Sequence, residues 1–136
     1  MDIIDEILTT TKVIAVVGLS PRRNRASHGV AKYLQYAGYR IIPVNPNVEE
    51  VLGEKSYPDL RTVPVPVDLV DIFRRPDAVV PVVKQAIEIG ARYIWMQDGV
   101  VNEEAARLAR RAGIPVVMEN CTFREHVSRF GPKASA

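Results

Sequence analysis

The segment VIAVVGLSPRRNRASHGVAKYL, Val13–Leu34, decides how the chain is read. Val13–Val17 is an apolar run with no polar alternation, as in a strand covered on both faces. It breaks at Gly18. After Gly18 come a polar loop of about ten residues and then Val30, Tyr33, Leu34 and Ala37, apolar positions at i, i+3, i+4 and i+7 that predict an amphipathic helix capped near Ser27 and ending at Gly38. Strand, glycine turn and helix make the outline of a nucleotide-binding turn. This turn, however, lacks the G-x-G-x-x-G spacing of dinucleotide sites and carries Arg22, Arg23, Arg25 and His28 instead.

Outward from this segment, the chain alternates strands and helices. Ile3, Ile4, Ile7 and Leu8 predict a leading helix. Strands are predicted at Arg40–Val44, Val67–Phe73, Arg92–Met96 and Val116–Met118, with a short edge strand at Lys55–Tyr57. Val48–Leu52 reads as one helical turn. Further helices are expected from near Pro81 to Gly90, from an Asn102 cap to Gly113, and from a Thr122/Glu125 capping box through Phe130. Such alternation implies an α/β fold: a Rossmann-like, doubly wound, mainly parallel sheet of five or six strands in the order 3-2-1-4-5-6, with helices on both faces. One domain is expected over residues 1–136, with its core at 12–130 and a polar tail at 132–136.

Composition excludes several classes. No apolar stretch reaches the roughly 20 residues of a membrane span, and acids occupy the first residues, so a soluble cytoplasmic protein is expected. A single cysteine, Cys121, forbids an internal disulfide, and His28 and His126 are too few for a structural zinc site. The formal net charge of +2 is too small to argue for nucleic acid. The placement of charge says more. Arg22, Arg23 and Arg25 form one acid-free cluster and Arg74 with Arg75 another, each following an apolar strand.

In a doubly wound sheet the loops after the strands gather at one edge, and ligands bind where the winding reverses. Gly18-Leu19-Ser20-Pro21, Asn45-Pro46, Phe73-Arg74-Arg75-Pro76 and Gln97-Asp98-Gly99 should meet there, bringing both arginine clusters to one crevice. The planar fork and fixed charge of arginine suit phosphate oxygens, and the amides at the following helix N-terminus add partial positive charge. An ordinary NAD site is disfavoured, because the end of the second strand reads Val44-Asn45-Pro46 where an acid would meet the ribose, and no P-loop occurs.

The strings VVGLSP, VAKYLQYAGYRIIPVNPN, LGEKSYPDL, VDLVDIFRRP and WMQDGVVNEEAARLARRAGI, with the region of Cys121, span Lys12 to His126. They resemble the small stand-alone CoA-binding proteins, whose fold is similar to the nucleotide-binding domain of the succinyl-CoA synthetase alpha subunit. The resemblance implies coenzyme A or an acyl-CoA as ligand. It sets Gly18, Leu19, Ser20 and Pro21 against the nucleotide, Arg22 to Arg25 near its phosphates, and Asn45 and Pro46 beside adenine or ribose. Phe73, Arg74 and Arg75 fall at the lip of the fourth strand, and Gln97, Asp98 and Gly99 under the pantetheine arm. The synthetase subunit carries a phosphohistidine in a second domain for which this chain has no room, so CoA binding carries over and ligase chemistry does not.

Among candidate catalysts, Cys121 reads as a small buried residue and His126 as helix packing, while His28 lies on the phosphate loop within reach of a ligand. Asp98 is expected to shape a turn with Gly99. Asp68 and Asp71, three apart on a strand, point to opposite faces and make no carboxylate pair. No catalytic set and no metal site follow. Two further readings stay open: an enzyme, acting on acyl-CoA through Cys121 or as an atypical NADP reductase, and a module that pairs with a ligase subunit or with itself.

Overall fold

The computed structural model describes residues 2–131, so the expected tail at 132–136 lies outside the described residues. Strands β1 (Val13–Val17), β2 (Arg40–Val44), β5 (Leu69–Ile72), β6 (Tyr93–Met96) and β7 (Val116–Val117) form one parallel five-stranded sheet in the order β2-β1-β5-β6-β7. The crossovers are α2 (Ala26–Tyr36), α3 (Val79–Glu88) and α4 (Glu103–Arg111); α1 (Ile3–Thr10) precedes β1 and α5 (Thr122–Phe130) follows β7.

The unbroken apolar strands follow from helices on both sides. Successive side chains of a strand point to opposite faces. Ile14 and Val16 of β1 join Leu69, Trp95 and Val117 in a core with Ile7, Ala31 and Leu34 of α1 and α2. Ala15 and Val17 join Val70, Ile72, Ile94 and Met96 against Val79, Val83 and Ala86 of α3 and Ala105 and Ala109 of α4. Asn102 caps α4, its side chain accepting from the Ala105 amide at 2.9 Å, and Arg110 and Arg111 close the last turn, as the sequence predicts.

Four local expectations are corrected. Val48–Leu52 is not helical: β3 (Glu50–Val51) and β4 (Glu54–Lys55) pair as an antiparallel hairpin, because Leu52 and Gly53 both take positive φ (55° and 77°), the conformation a two-residue hairpin turn needs. The expected third strand shrinks to one parallel bridge between Tyr57 and Val44, and Pro58, lacking an N–H, lets it go no further. Helix α2 starts at Ala26 with no side-chain cap; the Ser27 hydroxyl instead accepts from the Ser20 amide at 3.0 Å. Likewise α5 has no capping box, since Cys121 stands at its N-cap and the Thr122 hydroxyl is used elsewhere.

Candidate functional site

The turn after β1 is held from three sides. The Gly18 amide donates to Val44 O at 2.9 Å, tying it to β2. Gly18 has φ +88°, and a Cβ there would stand 2.3 Å from Phe73 O at the end of β5, so only glycine lets the two strand ends approach this closely. The Arg74 side chain lies over the same spot, its Cδ 3.3 Å from that Cβ position. Beyond the turn, Asn45 Nδ2 donates to Leu19 O at 3.0 Å and the Arg22 amide to Ser20 Oγ at 3.1 Å. His28 Nδ1 lies 3.0 Å from Ser20 O; a carbonyl can only accept, so Nδ1 carries the proton. The loop is therefore a braced cradle.

A cleft of about 720 Å³ opens at this edge of the sheet, within the roughly 300–1,000 Å³ typical of small-molecule sites. Arg22 and Arg25 line it from the β1–α2 loop, Arg74 and Arg75 from the end of β5, and Ala26, Ser27 and Val30 bring the first turns of α2 to its wall. The two cationic loops thus face one another across β1 and β5, the point where the winding reverses. Among the described residues, Arg22, Arg23, Arg25 and Arg74 have no carboxylate within 4.0 Å, and Arg75 has an exposed pairing with Asp77 at 3.5 Å. Asp98 is the acid on the lining. Both its oxygens accept from Arg124 at 2.9 Å, a contact that lowers its pKa, so it does not cancel the arginines opposite. That pairing, rather than a turn-forming bond, is the role of Asp98.

Gly18, Ser20, Arg22, Arg25, Phe73, Arg74, Arg75, Gln97, Asp98 and Gly99 all line the cleft. Asn45 and Pro46 line an adjoining cavity of about 280 Å³, between the ends of β1 and β2 and helix α3, that shares Gly18 and Arg74 with it. Four expected residues lie outside both. Leu19 is fully buried in the core, Pro21 and Arg23 are exposed on the outer loop, and His28 is buried against Ser20 O. Sequence reading missed Val100 and Ser27 on the lining, and of the floor it named Gln97 but not its partners Asp71 and Thr122.

That floor is a buried polar ring. Asp71 on β5 is fully buried; its Oδ1 accepts from Gln97 Nε2 at 2.7 Å and its Oδ2 from the Thr122 hydroxyl at 3.3 Å, while Thr122 Oγ1 accepts from Gln97 Nε2 at 2.8 Å. Burial pushes the Asp71 carboxyl up from 3.8 to about 7, against the pull of the bonds from Gln97 and Thr122. The folded protein holds this proton more tightly than the unfolded chain, so ionisation of Asp71 costs nothing below pH 3.8, costs more as pH rises towards 7, and reaches its full value above. Asp71→Asn is accordingly expected to stabilise the fold at pH 8 by up to about 4 kcal/mol and to do little at pH 4, read as midpoints of urea unfolding at both pH values. A gain independent of pH would contradict the shift. Asp68 is separate, its Oδ2 accepting from the Lys12 and Val13 amides at 3.0 and 2.9 Å, as befits a residue on the opposite face.

Cys121 is buried at the head of α5 and lines the cleft. His126 packs within α5's core face, its Nδ1 2.8 Å from the Tyr33 hydroxyl. Trp95 is fully buried, its Nε1 donating to Asn120 O at 2.8 Å. No helix among the described residues is long and apolar enough to cross a membrane.

Comparison with known proteins bears on the fold and the family. The uncharacterized protein YneT of Bacillus subtilis strain 168 is 46% identical over 123 residues, which are 90% of this chain and 91% of YneT. A solved structure of a hypothetical protein from Pyrococcus horikoshii OT3 superposes with a TM-score of 0.90 at 44% identity, covering 92% of this chain and 88% of that one. ADP-forming acetate–CoA ligase I of Archaeoglobus fulgidus is 28% identical over 126 residues, 85% of this chain but 18% of the ligase. A family model described as a CoA binding domain matches residues 12–127, from the start of β1 to within α5, and so takes in the sheet, both arginine loops and the floor. The chain belongs to that CoA-binding domain family.

Proposed function

We propose that this chain is one CoA-binding domain that holds coenzyme A or an acyl-CoA in the cleft, without a complete catalytic set of its own. The observation that carries the reading is the convergence of two arginine loops, in which only Arg75 has a carboxylate partner among the described residues, and a helix N-terminus on one cleft at the switch point. A ligand bearing a diphosphate and a ribose phosphate matches that much positive charge better than one bearing a single phosphate. In this reading Arg22 and Arg25 meet the ribose phosphate, and the Gly18 turn and Arg74 meet the diphosphate. The Asn45–Pro46 cavity takes adenine, and Gln97, Asp98 and Gly99 run beneath the pantetheine arm.

Calorimetric titration with CoA, NADPH and ATP tests this. CoA is expected to bind at least tenfold more tightly than the other two. Tight binding of NADPH with no response to CoA would overturn the reading in favour of a reductase.

The presence of Cys121 on the cleft lining favours a second reading, an enzyme handling acyl-CoA through a thiol. Against it, among the described residues no histidine or carboxylate hydrogen-bonds the Cys121 sulfur, and a nucleophile needs such a partner. Cys121→Ser is expected to leave CoA affinity within twofold of the unaltered protein. A tenfold loss would assign the thiol a direct part in binding.

A further inference from the structure

The polar ring under the cleft has a fixed direction. It contains three hydrogens, two on Gln97 Nε2 and one on the Thr122 hydroxyl, and three acceptors, the two Asp71 oxygens and Thr122 Oγ1. With Asp71 ionised the count closes, and both amide hydrogens of Gln97 point inward. Gln97 Oε1 is left over. It has no hydrogen-bond partner among the described residues, yet it is not among the side-chain atoms sealed from solvent, and Gln97, 3% exposed, lines the cleft floor. The floor therefore presents a lone acceptor, braced from behind by β5 and α5.

We propose that Asp71 and Thr122 are positioning residues that lock the Gln97 amide with its oxygen towards the ligand, so that the cleft floor selects a ligand arm carrying an N–H donor and loses that selection when Asp71 takes up a proton. The proposal rests on the CoA reading above: the pantetheine arm carries two secondary amides, each an N–H donor, whereas the nucleotide end of CoA lies elsewhere in the cleft. A protonated Asp71 has a hydrogen to donate and no acceptor left in the ring. Turning the Gln97 amide over supplies one, and the floor then shows the ligand an NH₂ group in place of an oxygen.

Burial places this proton uptake near neutrality. Among the described residues, no titratable group on the elements packed against this face hydrogen-bonds Asp71, whose partners are Gln97 and Thr122. His28 of α2 is bonded to Ser20 O, His126 of α5 to Tyr33 and Arg124 of α5 to Asp98; Cys121 stands at the head of α5, and β1 and β6 present Val16 and Trp95 beside Asp71.

The test is the ratio of dissociation constants, Asp71→Asn over the unaltered protein, measured by calorimetry from pH 5.5 to 8.5 for CoA and for adenosine 3′,5′-bisphosphate, which lacks the arm. Comparing two proteins with one ligand removes the ligand's own titration. For CoA the ratio is expected to be about five- to tenfold at pH 8.5, the worth of one hydrogen bond, and to fall towards one at pH 5.5; for the bisphosphate it stays near one throughout. Gln97→Met, which has no acceptor oxygen, is expected to show the same loss for CoA at high pH. A ratio of one for CoA at every pH, or equal losses for both ligands, would overturn the proposal while leaving CoA binding intact. Failure of the unaltered protein to bind either ligand would remove the CoA reading and this proposal with it.

Discussion

Gly18→Ala is expected to lower the thermal midpoint by roughly 10 °C or more, the largest stability loss of any single glycine replacement in the chain. Two costs combine. At φ +88° any L side chain is strained by about 1–2 kcal/mol, and the new Cβ would stand 2.3 Å from Phe73 O, a backbone atom that cannot rotate away. Relief requires the ends of β1 and β5 to part, which opens both the sheet and the wall shared by the two cavities. Gly113→Ala separates the costs, because Gly113 also has positive φ (81°) but nothing within 4 Å of its Cβ position. It should lose only the backbone strain, about 1–2 kcal/mol. Equal midpoints for the two variants in a thermal scan would mean that the close approach of the strand ends contributes nothing.

The second large effect concerns affinity. Replacing Arg22 and Arg25 together by alanine is expected to weaken CoA by roughly 100-fold, at about 1.5 kcal/mol for each charge-assisted contact on an exposed lip. Dephospho-CoA should lose much less, because it lacks the ribose phosphate assigned to this loop. Stability should hold within about 0.5 kcal/mol, since neither arginine has a carboxylate partner among the described residues to strand. Equal losses for both ligands in calorimetry would move the ribose phosphate elsewhere, to Arg74 or Arg75.

The parts of the fold legible in the sequence were those where one pattern has one physical cause. Val13–Val17 and Arg92–Met96 read as strands because helices covering both faces leave them apolar, and Asn102 read as a cap because its Oδ1 accepts from the Ala105 amide while Nδ2 reaches Pro76 O. The misread parts are those where a tertiary partner outbid the local one. Thr122 and Glu125 have the spacing of a capping box, but the Thr122 hydroxyl is taken by Asp71, 51 positions earlier in the chain. Ser27 looked like a cap and instead braces Ser20, seven residues back. The Leu52–Gly53 turn was hidden because leucine gives no signal for the positive φ it adopts there. The arginine loops could be brought together on paper because the winding rule places strand ends without side-chain detail. The floor as a ring could not, since no spacing in the sequence links Asp71, Gln97 and Thr122, which meet only through β5, the end of β6 and α5.

The central claim is that Arg22 and Arg25 on one side and Arg74 on the other hold one multiply phosphorylated ligand between them. A crystal structure of the CoA complex tests it most directly. The account predicts phosphate oxygens within about 3 Å of those guanidinium groups, with the pantetheine arm crossing Gln97. CoA bound elsewhere on the protein, with the cleft between β1 and β5 empty, would contradict it.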